Sequence, residues 1–147
     1  MKKVLSRNIP TVFIIFGATG DVMARKVVPA LYHLFEKKKL PDMFKIIGFS
    51  RQDLTDETFS EKVFESLNTH SNANLKTCGL FCNIFSYHKG DFNNVEDYVD
   101  LAKKLKEIDE KWGVCSNKLF YFAVPPQSYE TIFKNLIATI LFSSIFV

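Results

Sequence analysis

Thr11-Val-Phe-Ile-Ile-Phe-Gly17-Ala-Thr-Gly20-Asp21 decides how this chain folds. Its first six residues are almost wholly β-branched or aromatic, and they run into a glycine without presenting a polar face. A strand apolar on both sides is what the middle of a parallel sheet requires. Beyond the turn, Val22, Val27, Ala30, Leu31 and Leu34 recur at helical spacing. Glu36 and Lys37-Lys38-Lys39 close that helix, the lysines suiting its negative end. Pro29 lies inside the pattern and lacks an N–H, which predicts a kink or a restart there.

Working outward, the alternation repeats. Lys45-Ile-Ile-Gly-Phe49 reads as a second strand, followed by Ser50-Arg51-Gln52. Thr55 or Asp56 is placed to cap a helix carrying Phe59, Val63, Phe64 and Leu67. Asn68 to Lys76 reads as a polar loop. Asn83 to His88 is the third strand, ending near Gly90-Asp91. A third amphipathic helix carries Val95, Val99, Leu101, Ala102, Leu105 and Ile108, and ends before Gly113. Asn117 to Val124 is the fourth strand, stopped by Pro125-Pro126, with a last helix from about Ser128 to Leu136. The order β-α-β-α-β-α-β-α predicts an α/β, Rossmann-like doubly wound parallel sheet of about four strands with flanking helices.

Length and composition narrow the function. With 147 residues the chain predicts one domain, and an enzyme with separate cofactor and substrate domains does not fit. Hydrophobic residues make up 47% and charged residues 24%, with 6 Gly and 5 Pro, which excludes disordered and collagen-like chains. A net charge of +3 from 19 basic and 16 acidic residues is too mild for a nucleic-acid partner, and no basic stripe with interleaved aromatics occurs. Cys78, Cys82 and Cys115 match no zinc or redox spacing. Cys78 and Cys82 read as buried thiols at i,i+4, and His33, His70 and His88 are scattered, so no metal site is expected. The N-terminal apolar run is short and lacks a signal-cleavage site, which predicts a cytoplasmic protein.

The turn carries the chemistry. Gly17-Ala18-Thr19-Gly20-Asp21-Val22 joins a strand to a helix, where a pyrophosphate sits in doubly wound sheets. Gly17 permits the tight bend, Gly20 lets amides approach phosphate without a Cβ in the way, and Thr19 adds a hydroxyl. An ordinary strand-to-helix turn is the bland alternative. A P-loop is not formed, because no Lys-Ser/Thr pair follows the glycines. Met23 stands where dinucleotide fingerprints usually carry a third small residue, so helix and strand must pack differently from the commonest form. The end of the second strand selects the dinucleotide. It offers Arg51 and no acid before Asp53; an acid there reads the ribose of NAD, whereas an arginine meets the 2′-phosphate of NADP. NADP is favoured, the alternative being a simple surface arginine.

Ile14 to Tyr32, with G-D-x-x-x-R-K-x-x-P-A-L read over Gly20 to Leu31, resembles the opening of glucose-6-phosphate 1-dehydrogenases. Ile47-Gly-Phe-Ser-Arg51, Gly90-Asp-Phe92 with Tyr98, and Leu119-Phe-Tyr-Phe-Ala-Val-Pro-Pro126 agree in the same order. The resemblance implies an incomplete Rossmann-like NADP-binding domain over residues 1–136, with the catalytic substrate domain absent. It implies that Gly17, Ala18, Thr19, Gly20, Asp21 and Val22 bind phosphate and that Arg51 takes the 2′-phosphate. Asp91 and Phe92 would line the adenine side, and Tyr121, Ala123, Val124 and Pro125 the nicotinamide path. Lys26 would reach toward the sugar phosphate, although alone it reads as a solvated helix lysine. Met23 and Ala24 depart from the family pattern.

Members of that family oxidise glucose 6-phosphate to the 6-phosphogluconolactone in the pentose phosphate pathway and pass hydride to NADP. Their general base is the His of R-I-D-H-Y-L-G-K, supported by an E-K-P lysine; neither motif occurs here, so no catalytic residue is assigned. Residues 137–147 are uncharged and leave the family pattern. They read as an out-of-frame tail, a buried terminal strand or an aggregation-prone segment, too short for a membrane, which needs about 20 residues. The expected function is NADP binding without turnover. A free-standing NADP-binding or sensor module and a nonfunctional fragment remain alternatives, and dimerisation is not assumed.

Overall fold

In the computed structural model, residues 8–141 are described. β1 (Thr11–Phe16) is buried along nearly its whole length and pairs in parallel with β2 (Phe44–Ser50) on one side and β4 (Asn117–Phe122) on the other. β3 (Phe85–Lys89) adds to β2, giving one four-stranded parallel sheet in the order β3-β2-β1-β4. The double-sided apolar character of β1 has its counterpart here. Ile15 with Ile46 faces one apolar layer, whereas Val12, Ile14 and Phe16 with Ile47 and Phe49 face the other.

Helices α1 (Val28–Glu36), α2 (Asp56–His70) and α3 (Leu75–Cys82) contribute to the first layer, through residues such as Leu31, Val63 and Phe81. Helices α4 (Val95–Trp112) and α5 (Tyr129–Leu136) contribute to the second, with Tyr98, Leu101 and Leu105 facing Ile132 and Leu136. Pro29 does not break the helix: Val27 and Val28 are both right-handed helical, and the irregularity expected there takes the form of a π turn just before it. Met23–Val27 forms a wide π turn, and α1 begins beyond it with the proline in its first turn. Met23 is buried and opens that π turn.

Thr55 is the cap of α2: its Oγ1 accepts from Thr58 N–H at 3.2 Å, while Thr58 Oγ1 accepts from Thr55 N–H at 2.8 Å. Asp56 instead accepts from Tyr87 N–H at 2.6 Å, and Lys104 donates to Tyr87 C=O at 2.7 Å. Those two bonds occupy main-chain groups that edge strand β3 would otherwise present to solvent. Gly113, at φ +69°, ends α4.

Two expectations are corrected. The loop Asn68–Lys76 shrinks to residues 71–74, because α2 continues through His70 and Asn74 caps α3 by accepting from Lys76 N–H at 3.0 Å. Burial of Cys78, Phe81 and Cys82 stabilises α3 despite Gly79. Burial also pushes both thiols up, Cys82 to about 11, so they are poor nucleophiles and poor metal ligands at neutral pH. The second correction concerns the tail. Residues Ile137–Leu141 do not form a strand; they continue α5 as a π turn and bury Ile140 beside Ile132 and Leu136 in the second layer. No Gly or Pro stands there to stop the helix, and the four-residue spacing of those three side chains extends its apolar stripe. Residues 142–147 lie outside the described residues. No described helix is long and apolar enough to cross a membrane.

Asp109 fastens α4 to the start of β4. It accepts from Ser116 N–H at 3.1 Å, from the Ser116 hydroxyl and from Lys118. Burial alone would raise its carboxyl, but these donors outweigh it and hold the group below its ordinary range. A depressed carboxylate pKa adds stability that is complete above the unfolded value of about 3.9 and is lost as pH falls through the folded one. Asp109→Asn is therefore expected to cost about 1–3 kcal/mol at neutral pH. In thermal melts, the gap from the parent chain should close below about pH 3.9.

Candidate functional site: a cleft at the strand ends

The chain moves from β1 through β2 to β3 in one direction and places β4 on the other side of β1. The sheet therefore reverses between β1 and β4, and ligands of open α/β sheets bind outside the carboxyl ends of strands at such a point. Gly17 sits there at φ +83°. Its N–H donates to Phe49 C=O at 3.0 Å, and Ala123 N–H donates to Phe16 C=O at 2.9 Å, so the turn is tied to the ends of both neighbouring strands. A Cβ on Gly17 would lie 2.3 Å from the Ala123 carbonyl oxygen. The first bond of the following helix runs from Ala24 N–H to Gly20 C=O at 3.3 Å, so the N–H groups of Asp21, Val22 and Met23 have no helical acceptor, whereas Gly20 N–H donates to Gly17 C=O at 3.0 Å.

A cleft of about 300 Å³ opens over this turn, lined by groups from the ends of all four strands. Gly17, Thr19 and Gly20 come from the turn. Ser50, Arg51 and Gln52 come from the end of β2, Phe92 from beyond β3, and Ala123, Val124 and Pro125 from beyond β4. Arg51 is exposed and forms no ion pair among the described residues. The adjacent carboxylate, Asp53, pairs with Lys89 at 3.3 Å instead.

Phe92 is held as a wall. Its ring lies 6.0 Å from that of Phe49, nearly parallel, and its carbonyl accepts from Tyr98 OH and Asn135 Nδ2, both at 2.9 Å. Burial pushes the Tyr98 phenol up to about 12, which keeps it a donor. Asp91 stands behind this wall, its carboxylate accepting from Asn93 N–H at 2.8 Å.

Eight of the residues singled out in the sequence thus converge: Gly17, Thr19, Gly20, Arg51, Phe92, Ala123, Val124 and Pro125. The others lie elsewhere. Ala18 is buried beneath the turn, Asp21 pairs with Arg25 at 2.8 Å, and Val22 and Lys26 are exposed on the helix. Tyr121 faces the first layer, 6.0 Å from Phe13. Ser50 and Gln52 had not been singled out. The available signal was Ser50 as a small polar residue on the last position of an otherwise apolar strand. No histidine lines the cleft; His33 and His70 are exposed, and His88 bonds the Asp97 carbonyl at 2.9 Å. Among the described residues no group of three His, Cys, Asp or Glu could hold a metal ion.

A parallel sheet with a positive-φ glycine at its point of reversal, helix-start amides above it and, beside it, an arginine without an ion pair among the described residues defines a dinucleotide-binding domain of the Rossmann type. Residues 14–144 match the family model described as glucose-6-phosphate dehydrogenase, NAD binding domain. The glucose-6-phosphate 1-dehydrogenase of Chlamydia pneumoniae is 37% identical over 129 residues, covering 86% of this chain and 25% of that one. A second such enzyme, from Mycobacterium tuberculosis, is 30% identical over the same share of each.

Among solved structures, a glucose-6-phosphate dehydrogenase in complex with its substrate glucose 6-phosphate superposes with a TM-score of 0.83 at 32% identity, covering 90% of this chain and 28% of that one. The enzyme from Mycobacterium avium gives 0.76 at 25% identity, covering 88% and 27%. The chain belongs to the glucose-6-phosphate dehydrogenase family, a family of NADP-dependent oxidoreductases. It spans about a quarter of the length of the curated relatives it matches.

Proposed function

We propose that this chain is the NADP-binding part of a cytoplasmic glucose-6-phosphate dehydrogenase. In this reading residues 1–136 form the cofactor domain, and the chain from Ile137 to Leu141 continues its last helix. The Thr19 hydroxyl and the helix-start amides after Gly20 hold the pyrophosphate, with Gly20 leaving room for its approach, and Arg51 takes the 2′-phosphate. Phe92 flanks the adenine, and Ala123, Val124 and Pro125 border the path to the nicotinamide. The observation that carries the reading is Arg51, at the end of β2 in the cleft, a cation without a carboxylate partner among the described residues. Bound NADP supplies a hydride acceptor. Oxidation of glucose 6-phosphate also needs a base for the proton of the hydroxyl being oxidised, and no histidine of this chain reaches the cleft.

Two measurements test this. Calorimetry should show NADP bound more tightly than NAD; equal affinities would refute the assignment. The purified chain, given glucose 6-phosphate and NADP, should produce no NADPH, and turnover would overturn the view that it only binds. A second reading, an NADP-binding module acting without chemistry, is favoured by a cleft that already draws on all four strand ends.

A further inference from the structure

Beneath Arg51 lies a chain of hydroxyl groups that ties together three distant parts of the sequence. Thr19 Oγ1, in the glycine turn, donates to Ser50 Oγ at 3.1 Å. Ser50 Oγ is 2.8 Å from Tyr87 OH, and Tyr87 OH reaches the Gln52 carbonyl at 2.6 Å. Each hydroxyl has one proton to give. The short contact to a carbonyl, which can only accept, sets the direction: Thr19 gives to Ser50, Ser50 to Tyr87, and Tyr87 to Gln52. Gln52 N–H also donates to Ser50 Oγ, at 3.3 Å.

Both Ser50 and Tyr87 are buried, and the desolvation that buries Tyr87 raises its phenol, so it remains a donor at neutral pH. Arg51 sits between two residues fastened to the same phenol. The backbone from which it extends is fixed from both sides, while its own side chain makes no ion pair among the described residues.

The geometry points to Tyr87 as a positioning residue for 2′-phosphate recognition: it fixes the Ser50–Gln52 segment, and thereby the base of Arg51, against the phosphate turn at Thr19. Nothing in this role requires Tyr87 to touch the ligand. A fixed anchor limits the side-chain freedom that Arg51 must give up on meeting a phosphate. An arginine on a loose segment would have to order main chain as well.

The inference rests on the NADP reading, and the test separates the two. Adenosine 2′,5′-bisphosphate and 5′-AMP, which differ only in the 2′-phosphate, are titrated calorimetrically against the full chain and its Tyr87→Phe variant. Tyr87→Phe is expected to weaken the bisphosphate about three- to tenfold, the worth of one net hydrogen bond, and to leave 5′-AMP within about twofold. A merely structural role would weaken both ligands alike, and that result, or no change in either, overturns the inference. Ser50→Ala cuts the same chain one link earlier and should repeat the pattern; it decides the matter if Tyr87→Phe fails to melt cooperatively. A parent chain that binds both ligands equally refutes the NADP reading and this inference with it. A parent that prefers the bisphosphate, with variants that keep the same preference, refutes this inference alone.

Discussion

Gly17→Ala is expected to produce the largest loss of stability of any single methyl added to this chain. Two independent costs meet at that position. The backbone is at φ +83°, where a residue with a Cβ is strained by about 1–3 kcal/mol. The new methyl would also lie 2.3 Å from the Ala123 carbonyl oxygen and 2.8 Å from a Val124 methyl, so the end of β4 must move away. Overpacking of this kind costs about another 1–3 kcal/mol, and the total is a large part of the roughly 5–15 kcal/mol that holds a domain together. Thermal melts should show a drop of roughly 5–20 °C, with dinucleotide binding lost alongside it.

Gly113→Ala is the control. Gly113 also has a positive φ, +69°, but nothing lies within 4 Å of where its Cβ would stand. It should lose only the strain. Equal losses at the two positions would show that the approach of β4 to the turn contributes nothing.

Arg51→Ala is expected to produce the largest change in ligand preference. A guanidinium donating to phosphate is worth about 1.5–3 kcal/mol, which corresponds to about a 10- to 100-fold loss in NADP affinity. NAD has no 2′-phosphate, so its affinity should hardly move. Because Arg51 is exposed, part of the NADP effect should be screened as salt is raised. Isothermal titration with both dinucleotides at two salt concentrations checks both statements. A parallel loss of NAD and NADP affinity would mean that the variant has damaged the cleft and not its selectivity.

What could be foreseen followed the physics of each segment. β1 and β2 were legible because a strand buried on both faces leaves a continuous apolar run, and Thr11–Phe16 and Ile46–Phe49 are such runs. α4 was legible because its apolar residues keep helical spacing between a capping Asn94 and a terminating Gly113. α3 was not foreseen as a helix, since its strongest local signals, Asn72, Asn74 and Gly79, suggest turns; burial of Cys78, Phe81 and Cys82 overrides them. The helical course of Ile137–Leu141 was hidden for a similar reason. An uncharged apolar run of that length has no period of its own until α4 supplies a surface for Ile140.

The site divides in the same way. In the proposed site Gly17 and Gly20 would act through their own backbones, and Arg51 through its own charge, so each could be read in isolation. Ser50 and Tyr87 act as a pair 37 residues apart, and only the sheet register, which sets Gly48 opposite Tyr87, brings that strand to the turn. Asp21 and Tyr121 show the converse. Neighbours in sequence to the cleft, they are turned to other partners, Arg25 and Phe13.

The bond from Asn135 to the Phe92 carbonyl spans 43 residues. It ties the last described helix, α5, to the backbone of Phe92 at the side of the cleft. A change at Asn135 would therefore be felt at Phe92, which also packs on Phe16 and Phe49 of the sheet. A helix 43 residues further along the chain thus helps to fix one side of the cleft.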